Sequence, residues 1–178
     1  AEVRSICTIV DADGLFLVAR DPGLVEGRSD CVLTPNRREL ERLATRLNVS
    51  PEADDVAAQV ARKLGNVVVV AKGQRDVITD GTDVLVCDEP GAPKRCGGLG
   101  DVLCGALAPL AAQAARADQN DAAFVGKRPL LWACYGACVA SRRAAAAAFA
   151  RKRRALTAPG ALAAIGGACE SVAPPTGL

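Results

Sequence analysis

The densest group of residues that could carry chemistry is a glycine-rich segment that leads directly into a predicted helix. Residues 91–101 read GAPKRCGGLGD. Glycines let backbone amides approach an anion closely, and the amino end of a helix adds partial positive charge. Lys94 and Arg95 supply full positive charges beside them. The segment therefore predicts phosphate binding, with an ordinary loop before a helix as the alternative.

Asp101 is the one acidic residue in this segment. A carboxylate beside a phosphate is unfavourable unless it orders a metal ion, caps the helix or accepts a proton. Capping is the simplest interpretation, and proton transfer is the functional one.

A second group, Lys72 to Asp76 with the sequence KGQRD, follows the strongly apolar residues 67–71. Open α/β sheets bind ligands beyond the carboxyl ends of their strands, so a nucleotide could lie above this group. A solvated turn closed by Asp76 is the alternative.

Two further polar groups follow predicted strands. Asp11 and Asp13 come after the first strand, where an Asx turn would explain them equally well. The second group, residues 36–42, begins a helix, and its Asn36 and Glu39 are spaced as a capping pair. The same edge of a sheet could present all of these groups to one cleft.

The absence of histidine narrows the chemistry. With no histidine in the 178 residues, Ser-His-Asp and Cys-His catalysis and histidine-ligated zinc are excluded. Carboxylates, lysines or backbone amides must act instead.

The elements that position these groups follow from hydrophobic patterning. Strands are predicted at residues 7–10, at 31–33 and at 67–71, where four consecutive valines indicate burial on both faces and favour a parallel sheet. Residues 77–79 and 84–87 flank Asp80-Gly81 and predict a β-hairpin.

Helices are predicted between and after these strands. A short helix covers residues 15–19, and longer ones run from Asn36 to about Leu47 and from Ser50 to Leu64, where Gly65-Asn66 ends the helix. Later helices are predicted at 100–116, 127–149 and 161–172, with a loop at 117–126. Strands separated by helices predict an α/β fold with a mainly parallel sheet.

Composition predicts one soluble domain. The chain has a mass of 18.2 kDa, 50% hydrophobic residues and a mean hydropathy of +0.17. No apolar run approaches the roughly 20 residues needed to cross a bilayer, and residues 1–4 lack signal-peptide features. Eight cysteines without a CxxC pair favour reduced thiols, and hence a cytoplasmic or organellar (mitochondrial or plastid) protein that is not secreted.

The charge pattern does not favour nucleic acid or a membrane as partner. The net charge is only +2, and the basic cluster of Arg142, Arg143 and residues 151–154 is interpreted as a solvated helix end. The sequence is compatible with a homo-oligomer.

Taken together, the motifs TIVDADGL (residues 8–15), VLTPN (32–36), KGQRD (72–76) and RCGGLGDVLCG (95–105) resemble the ATP-dependent NAD(P)H-hydrate dehydratases in their eukaryotic form. The resemblance extends through LWACYGAC at 131–138. It implies a ribokinase-like αβα sandwich and the repair of NADH or NADPH whose ring has been hydrated in the S form, with ATP and Mg²⁺ as cofactors. The family's domain is longer at its amino end. The chain, which has no methionine, is therefore expected to be the carboxyl-terminal portion of one such domain.

The resemblance also implies roles for individual residues. Asp101 would take the proton from the ring hydroxyl and contact the substrate. The substrate, NAD(P)H hydrate, would also contact Asn36, Arg37, Arg38, Glu39, Leu40, Glu41 and Arg42. ATP would contact Lys72, Gly73, Gln74, Arg75, Asp76, Gly91, Ala92, Pro93, Lys94, Arg95, Cys96, Gly97, Gly98, Leu99 and Gly100.

Three residues depart from the family's pattern, and one of them is Gly160, which stands where the family generally has an acidic residue in the last helical segment. Leu99 replaces a glutamine, and Cys104 replaces a serine one helical turn after Asp101. The backbone cradle survives both changes, whereas side-chain contacts do not. Two alternatives stay open: a ribokinase-like vitamin kinase that stops after phosphate transfer, and a nucleotide-binding fragment without activity.

Overall fold

The computed structural model describes residues 7–116 and 128–172. Five strands form one sheet in the order in which they occur in the chain. They are β1 (Thr8–Val10), β2 (Cys31–Leu33), β3 (Val68–Ala71), β4 (Asp76–Thr79) and β5 (Val84–Cys87). The strands β1, β2 and β3 are parallel, while β4 and β5 form an antiparallel hairpin that extends the sheet beyond β3. The α/β class and the hairpin are confirmed, and the sheet is mixed because the hairpin reverses the chain beside β3.

Helices cover both faces of the sheet. They are α1 (Asp13–Arg20), α2 (Arg37–Arg46), α3 (Val56–Lys63), α4 (Leu99–Arg116), α5 (Pro129–Lys152), α6 (Ala158–Leu162) and α7 (Ile165–Val172). One core lies between the sheet and the first three helices, and a second lies between the sheet and α4 and α5. Val69 contributes to the first core and Val70 to the second, so β3 is buried on both faces as predicted. None of the helices in the described residues is long and apolar enough to span a membrane.

The helix α2 begins where its sequence predicts. The Asn36 side chain accepts a hydrogen bond from the Glu39 amide, and the Glu39 carboxylate accepts one from the Asn36 amide. This capping box satisfies amides that the first turn of the helix leaves without partners.

The predicted start of the next helix at Ser50 is wrong. Residues 50–55 form turns, in which the Ser50 hydroxyl donates to the Glu52 carboxylate and the Ala53 amide donates to the Ser50 carbonyl. These local bonds compete with a helical start, so α3 begins only at Val56. Its end at Gly65 and Asn66, both with positive φ, is confirmed.

The predicted last helix is divided into two. The amides of Ala163 and Ala164 close the end of α6 on Pro159 and Ala161, and α7 then begins at Ile165. The helix α5 extends three residues beyond Phe149, and the predicted loop at 117–126 lies outside the described residues.

Candidate functional site

The predicted polar groups meet at one edge of the sheet, where the loops after β1, β2 and β3 are joined by hydrogen bonds. The Thr34 amide donates to the Val10 carbonyl over 3.0 Å, and the Lys72 amide donates to the Pro35 carbonyl over 2.8 Å. Parallel strands place their carboxyl ends at the same edge. Because β4 runs the other way, it begins at this edge, and Asp76 therefore joins the same group.

Asp11 and Lys72 form an ion pair at the centre of this edge. The Lys72 Nζ lies 2.7 Å from the Asp11 Oδ1, and the two side chains are only 21% and 19% exposed. Burial alone would raise the pKa of Asp11, but the hydrogen bond and charge of Lys72 outweigh it and hold this pKa below its ordinary value. The Asp11 carboxylate is therefore charged at neutral pH.

The first turn of α4 lies directly on this pair. A Cβ atom on Gly100 would be 3.1 Å from the Asp11 Oδ2 and 3.3 Å from the Lys72 Nζ, so a larger residue would crowd both charged groups. The first helical hydrogen bond runs from Val102 to the Gly98 carbonyl. The amides of the first turn therefore lack partners within the helix and lie beside the ion pair.

Gly98 makes the tight entry into α4. Its φ is +85°, and a Cβ atom there would lie 2.8 Å from the Ala158 Cβ of α6. Gly97 differs, because a Cβ atom on it would meet none of the described residues within 4 Å. Packing within the chain thus requires glycine at 98 and leaves open space at 97.

Asp101 is exposed in the first turn of α4, one residue after Gly100. Its side chain lines a pocket of about 480 Å³ between α4, α6 and α7. The remaining wall is mostly apolar and includes Val102, Ala106, Leu162 and Ile165. The pocket combines one carboxylate with apolar surface, an arrangement suited to a ring that carries a polar substituent.

Cys104, one turn after Asp101, faces the ion pair. Its Sγ lies 3.7 Å from the Thr34 Oγ1 and 3.6 Å from the Asp11 Oδ2. Burial raises the pKa of this thiol, which keeps it protonated as a weak donor. The thiol thus lies between Thr34 and Asp11 without making a short hydrogen bond.

The segment 91–96 is anchored away from the ion pair. Lys94 donates to the carbonyl oxygens of Arg154 and Leu156, while Cys96 and Leu99 pack against a small apolar cluster of Ala148, Leu156 and Ala161. Lys94 therefore fastens the loop to the residues that follow α5, and Leu99 contributes packing. Arg95 and Gly97 are exposed.

The predicted substrate residues at the start of α2 divide into two groups. Asn36 is exposed beside the Pro35 carbonyl that binds Lys72, and Glu39 is half-buried. The remaining members point elsewhere or pack. Arg37 pairs with Glu41, Leu40 lies in the core and Arg38 is exposed. Arg42 lies 5.5 Å from the ring centre of Phe16, in a groove against α1.

The loop at 72–76 is closed by hydrogen bonds to its own Asp76 and by Arg142 of α5. The Asp76 Oδ1 accepts from the Gly73 amide at 2.9 Å, and the Asp76 Oδ2 lies 2.7 Å from the Arg142 Nε. Gln74 and Arg75 are exposed at the tip. The interpretation of Arg142 as part of a solvated helix end is wrong, because its side chain is only 16% exposed.

A signal for Arg142 was present in the sequence. Cys138 and Ala145 lie four residues before it and three after it, and both are buried on α5. An arginine at this spacing falls on the buried face of the helix, where it must have a partner.

A metal site built by the protein needs several ligating side chains close together. Among residues 7–116 and 128–172, no group of three or more histidine, cysteine, aspartate or glutamate side chains could hold a metal ion.

Comparison with known proteins gives the same family as the motifs. A family model described as NAD(P)H-hydrate dehydratase matches residues 2–165. The ATP-dependent (S)-NAD(P)H-hydrate dehydratase of Bos taurus is 41% identical over 170 residues, covering 93% of this chain and 51% of the relative. The enzyme of the same description from Homo sapiens is 41% identical over 172 residues, covering 94% and 49%. The chain thus spans about half the length of the curated relatives it matches.

Solved structures share the fold at lower identity. A protein from Streptococcus mutans gives a TM-score of 0.67 at 19% identity and covers 92% of this chain and 54% of its own. A ribokinase-like superfamily protein from Enterococcus faecalis gives 0.66 at 19% identity, covering 94% and 53%. At this identity, the likeness shows the ribokinase-like fold alone.

Proposed function

Because the chain belongs to the NAD(P)H-hydrate dehydratase family, we propose that it acts in the ATP-dependent dehydration of the S form of NAD(P)H hydrate. The reaction would restore NADH or NADPH and release ADP and phosphate. The observation that carries this proposal is the position of the α4 amino end. Gly100 lies on the Asp11–Lys72 pair, and the next residue, Asp101, lines the adjoining pocket.

ATP would bind along the first turn of α4 and the loop at 72–76. The amides of Gly97, Gly98 and Gly100 would hold the phosphates, because amides at a helix start lack internal partners and carry partial positive charge. The open space at Gly97 supports this role, since glycine there is not required by packing within the chain. Gln74 and Arg75 are exposed on the neighbouring loop and could contact the nucleotide.

The hydrated dinucleotide would lie across the loop after β2 and the pocket beside Asp101. Asn36 is exposed there, and its amide nitrogen can donate to a ligand while its oxygen caps α2. Leu40 would act through packing, since it lies in the core. Arg42 would reach only a ligand that extends over α2 toward Phe16.

Asp101 would accept the proton from the ring hydroxyl as that oxygen attacks the γ-phosphorus of ATP. The new O–P bond forms while the bond to the leaving ADP oxygen breaks, and amides of the glycine-rich turn would stabilise the charge that develops. Asp101 is accessible to substrate because it is exposed, and the chain has no histidine to serve instead.

Phosphorylation solves a leaving-group problem. Hydroxide leaves a saturated carbon poorly, whereas a phosphate ester leaves well. The lone pair of the ring nitrogen would expel the phosphate, and loss of a proton from the neighbouring ring carbon would restore the double bond. The net reaction removes water from the ring at the expense of one ATP.

Mg²⁺ would accompany the ATP phosphates. Magnesium usually keeps several waters and binds through substrate phosphates and one or two carboxylates. The described residues offer no cluster of three or more ligating side chains for it. With its eight free thiols, the protein would act in a reducing compartment, the cytoplasm or an organelle.

The test is to incubate the intact protein with S-form NADH hydrate, ATP and magnesium, and to follow the absorbance band of reduced nicotinamide. Recovery of the band with stoichiometric release of ADP is expected. A stable phosphorylated product would instead identify a kinase, and ATP binding without turnover would identify a binding protein. Either result would overturn the proposed function.

A further inference from the structure

We propose that Arg142 is a positioning residue that holds the two segments of the ATP site at a fixed separation and so determines the affinity for ATP. This inference rests on the proposed function, because it takes the loop at 72–76 and the glycine-rich segment as the nucleotide-binding loops. Arg142 itself touches neither substrate; it acts through the backbone of both loops.

One end of the guanidinium closes the loop at 72–76. The Arg142 Nε lies 2.7 Å from the Asp76 Oδ2, and its Nη2 donates to the Gly73 carbonyl over 3.1 Å. Since the other oxygen of Asp76 accepts from the Gly73 amide, both polar groups of the Gly73 backbone are held in one network. The loop that begins at Lys72 is thereby fastened to α5.

The other end of Arg142 holds the chain that enters the glycine-rich segment. Its Nη1 donates to the Glu89 carbonyl over 3.1 Å. Two residues later, Gly91 packs on the aliphatic part of Arg142, where a Cβ atom would lie 3.7 Å from the Cγ. One side chain thus contacts both the loop at 72–76 and the chain that enters the glycine-rich segment.

The chemistry of this contact requires arginine. The guanidinium is planar and presents donors in several directions at once, whereas a lysine ammonium acts as a single point charge. Lysine at 142 would keep the charge opposite Asp76 but could not reach all three acceptors. The Asp76 carboxylate is only 10% exposed, so it depends on this cation for compensation.

Arg143 offers a matched control on the adjacent position. It holds the Glu89 carboxylate through both oxygens, at 3.0 and 3.1 Å, and also donates to Ser171 of α7. Its side chain is 38% exposed. Arg143 therefore supports the same strand exit as Arg142 but links it to α7 instead of to the loop at 72–76.

The test compares Arg142→Lys, Asp76→Asn, the double variant and Arg143→Ala in the intact protein. Binding of the non-hydrolysable β,γ-imido analogue of ATP is measured by calorimetry, and kcat and KM are measured for ATP and for NADH hydrate. Arg142→Lys is expected to weaken binding of the analogue about tenfold and to raise the KM for ATP about tenfold. The kcat and the KM for the hydrate should stay within about threefold of the wild-type values. Arg143→Ala is expected to change every constant by less than about threefold.

The paired variant separates positioning from general damage to the fold. If Arg142 acts through Asp76, the double variant should bind the analogue about as weakly as either single variant, instead of showing additive losses. Additive losses, or equal losses of affinity for ATP and for the hydrate, would overturn the positioning role.

A measurement without nucleotide distinguishes this inference from the proposed function. Hydrogen exchange at the amides of residues 73–76 should accelerate in Arg142→Lys and stay unchanged in Arg143→Ala. If the wild-type protein fails to bind the analogue, the ATP-dependent function fails, and the exchange result still decides whether Arg142 fixes the loop. Unchanged exchange and unchanged analogue affinity in Arg142→Lys would both contradict the inference.

Discussion

The Lys72 ammonium and the Asp11 carboxylate, 2.7 Å apart, join the ends of β1 and β3 across the intervening strand β2. The pair forms the floor on which the first turn of α4 rests. Three separate segments of sequence therefore meet at one ion pair, and changes to any of them should affect the same site.

The Asp11 pair should make stability depend on acid. The pKa of Asp11 is lowered in the folded protein, so the unfolded chain binds its proton at higher pH. The contribution of the pair is then fully present at neutral pH, begins to fall near about pH 4 and is lost once the pH drops through the lowered pKa. Urea unfolding from pH 7 to pH 2 should therefore show the wild type approaching Asp11→Asn in stability as the pH falls. A constant difference across this range would contradict the assignment.

Asp101→Asn should separate chemistry from binding. The change removes the proposed base and keeps the backbone amides, so kcat should fall by about 10²–10⁴-fold while ATP affinity stays within about tenfold. Steady-state absorbance and calorimetry measure the two quantities. Because Asp101 is exposed, the unfolding midpoint of the Asp101→Asn variant should match that of the wild type. Unchanged turnover would reject Asp101 as the base.

Alanine at two neighbouring glycines should give opposite results. Gly98→Ala forces a side chain into positive φ and against Ala158, and should lower the free energy of unfolding by about 1–3 kcal/mol. Gly97→Ala meets open space, so stability should be unchanged while affinity for ATP falls, because the methyl group occupies room that the phosphate needs. Thermal unfolding and calorimetry on both variants provide the comparison. Equal destabilisation by the two changes would argue against the described loop geometry.

The cysteines should differ widely in reactivity. Burial raises the pKa of Cys31 to about 11 and raises the pKa values of Cys134 and Cys138 as well, so at pH 8 these thiols are almost wholly protonated. They should resist iodoacetamide in the native protein, whereas the half-buried Cys96 and Cys169 should label faster. Mass spectrometry of the labelled peptides gives the rates, with guanidinium-denatured protein as the control. Early labelling of Cys134 would show that the second core is not packed as described.

Local sequence patterns were sufficient to predict much of the fold. The Asn36–Glu39 capping box, the valines of β3 and the Asp80-Gly81 hairpin are determined by neighbours in sequence, and all three predictions are confirmed. The predicted helix start at Ser50 has a similar residue pattern, yet hydrogen bonds within a turn compete with it and α3 begins at Val56. Helix-start signals and turn signals use the same residue types, so spacing alone does not separate them.

The site was predictable only in outline. Strand ends that share an edge can be inferred from topology, and Asp11, Lys72 and Gly100 do meet there. The roles of Arg142 and Lys94 depend on contacts with residues 53 to 69 and 60 to 62 positions away, respectively. Such contacts are set by tertiary packing, and composition treats both residues only as positive charge.

The order of the sheet has a consequence for how the protein acquires its structure. Within residues 7–116 and 128–172, each strand pairs only with its neighbours in the chain, so none of these five has to be inserted between two that are already joined. Each of β2 to β5 can therefore add to an edge formed by the strand before it. The ion pair that anchors α4 needs only β1, β2 and β3, which all precede the glycine-rich turn in the chain.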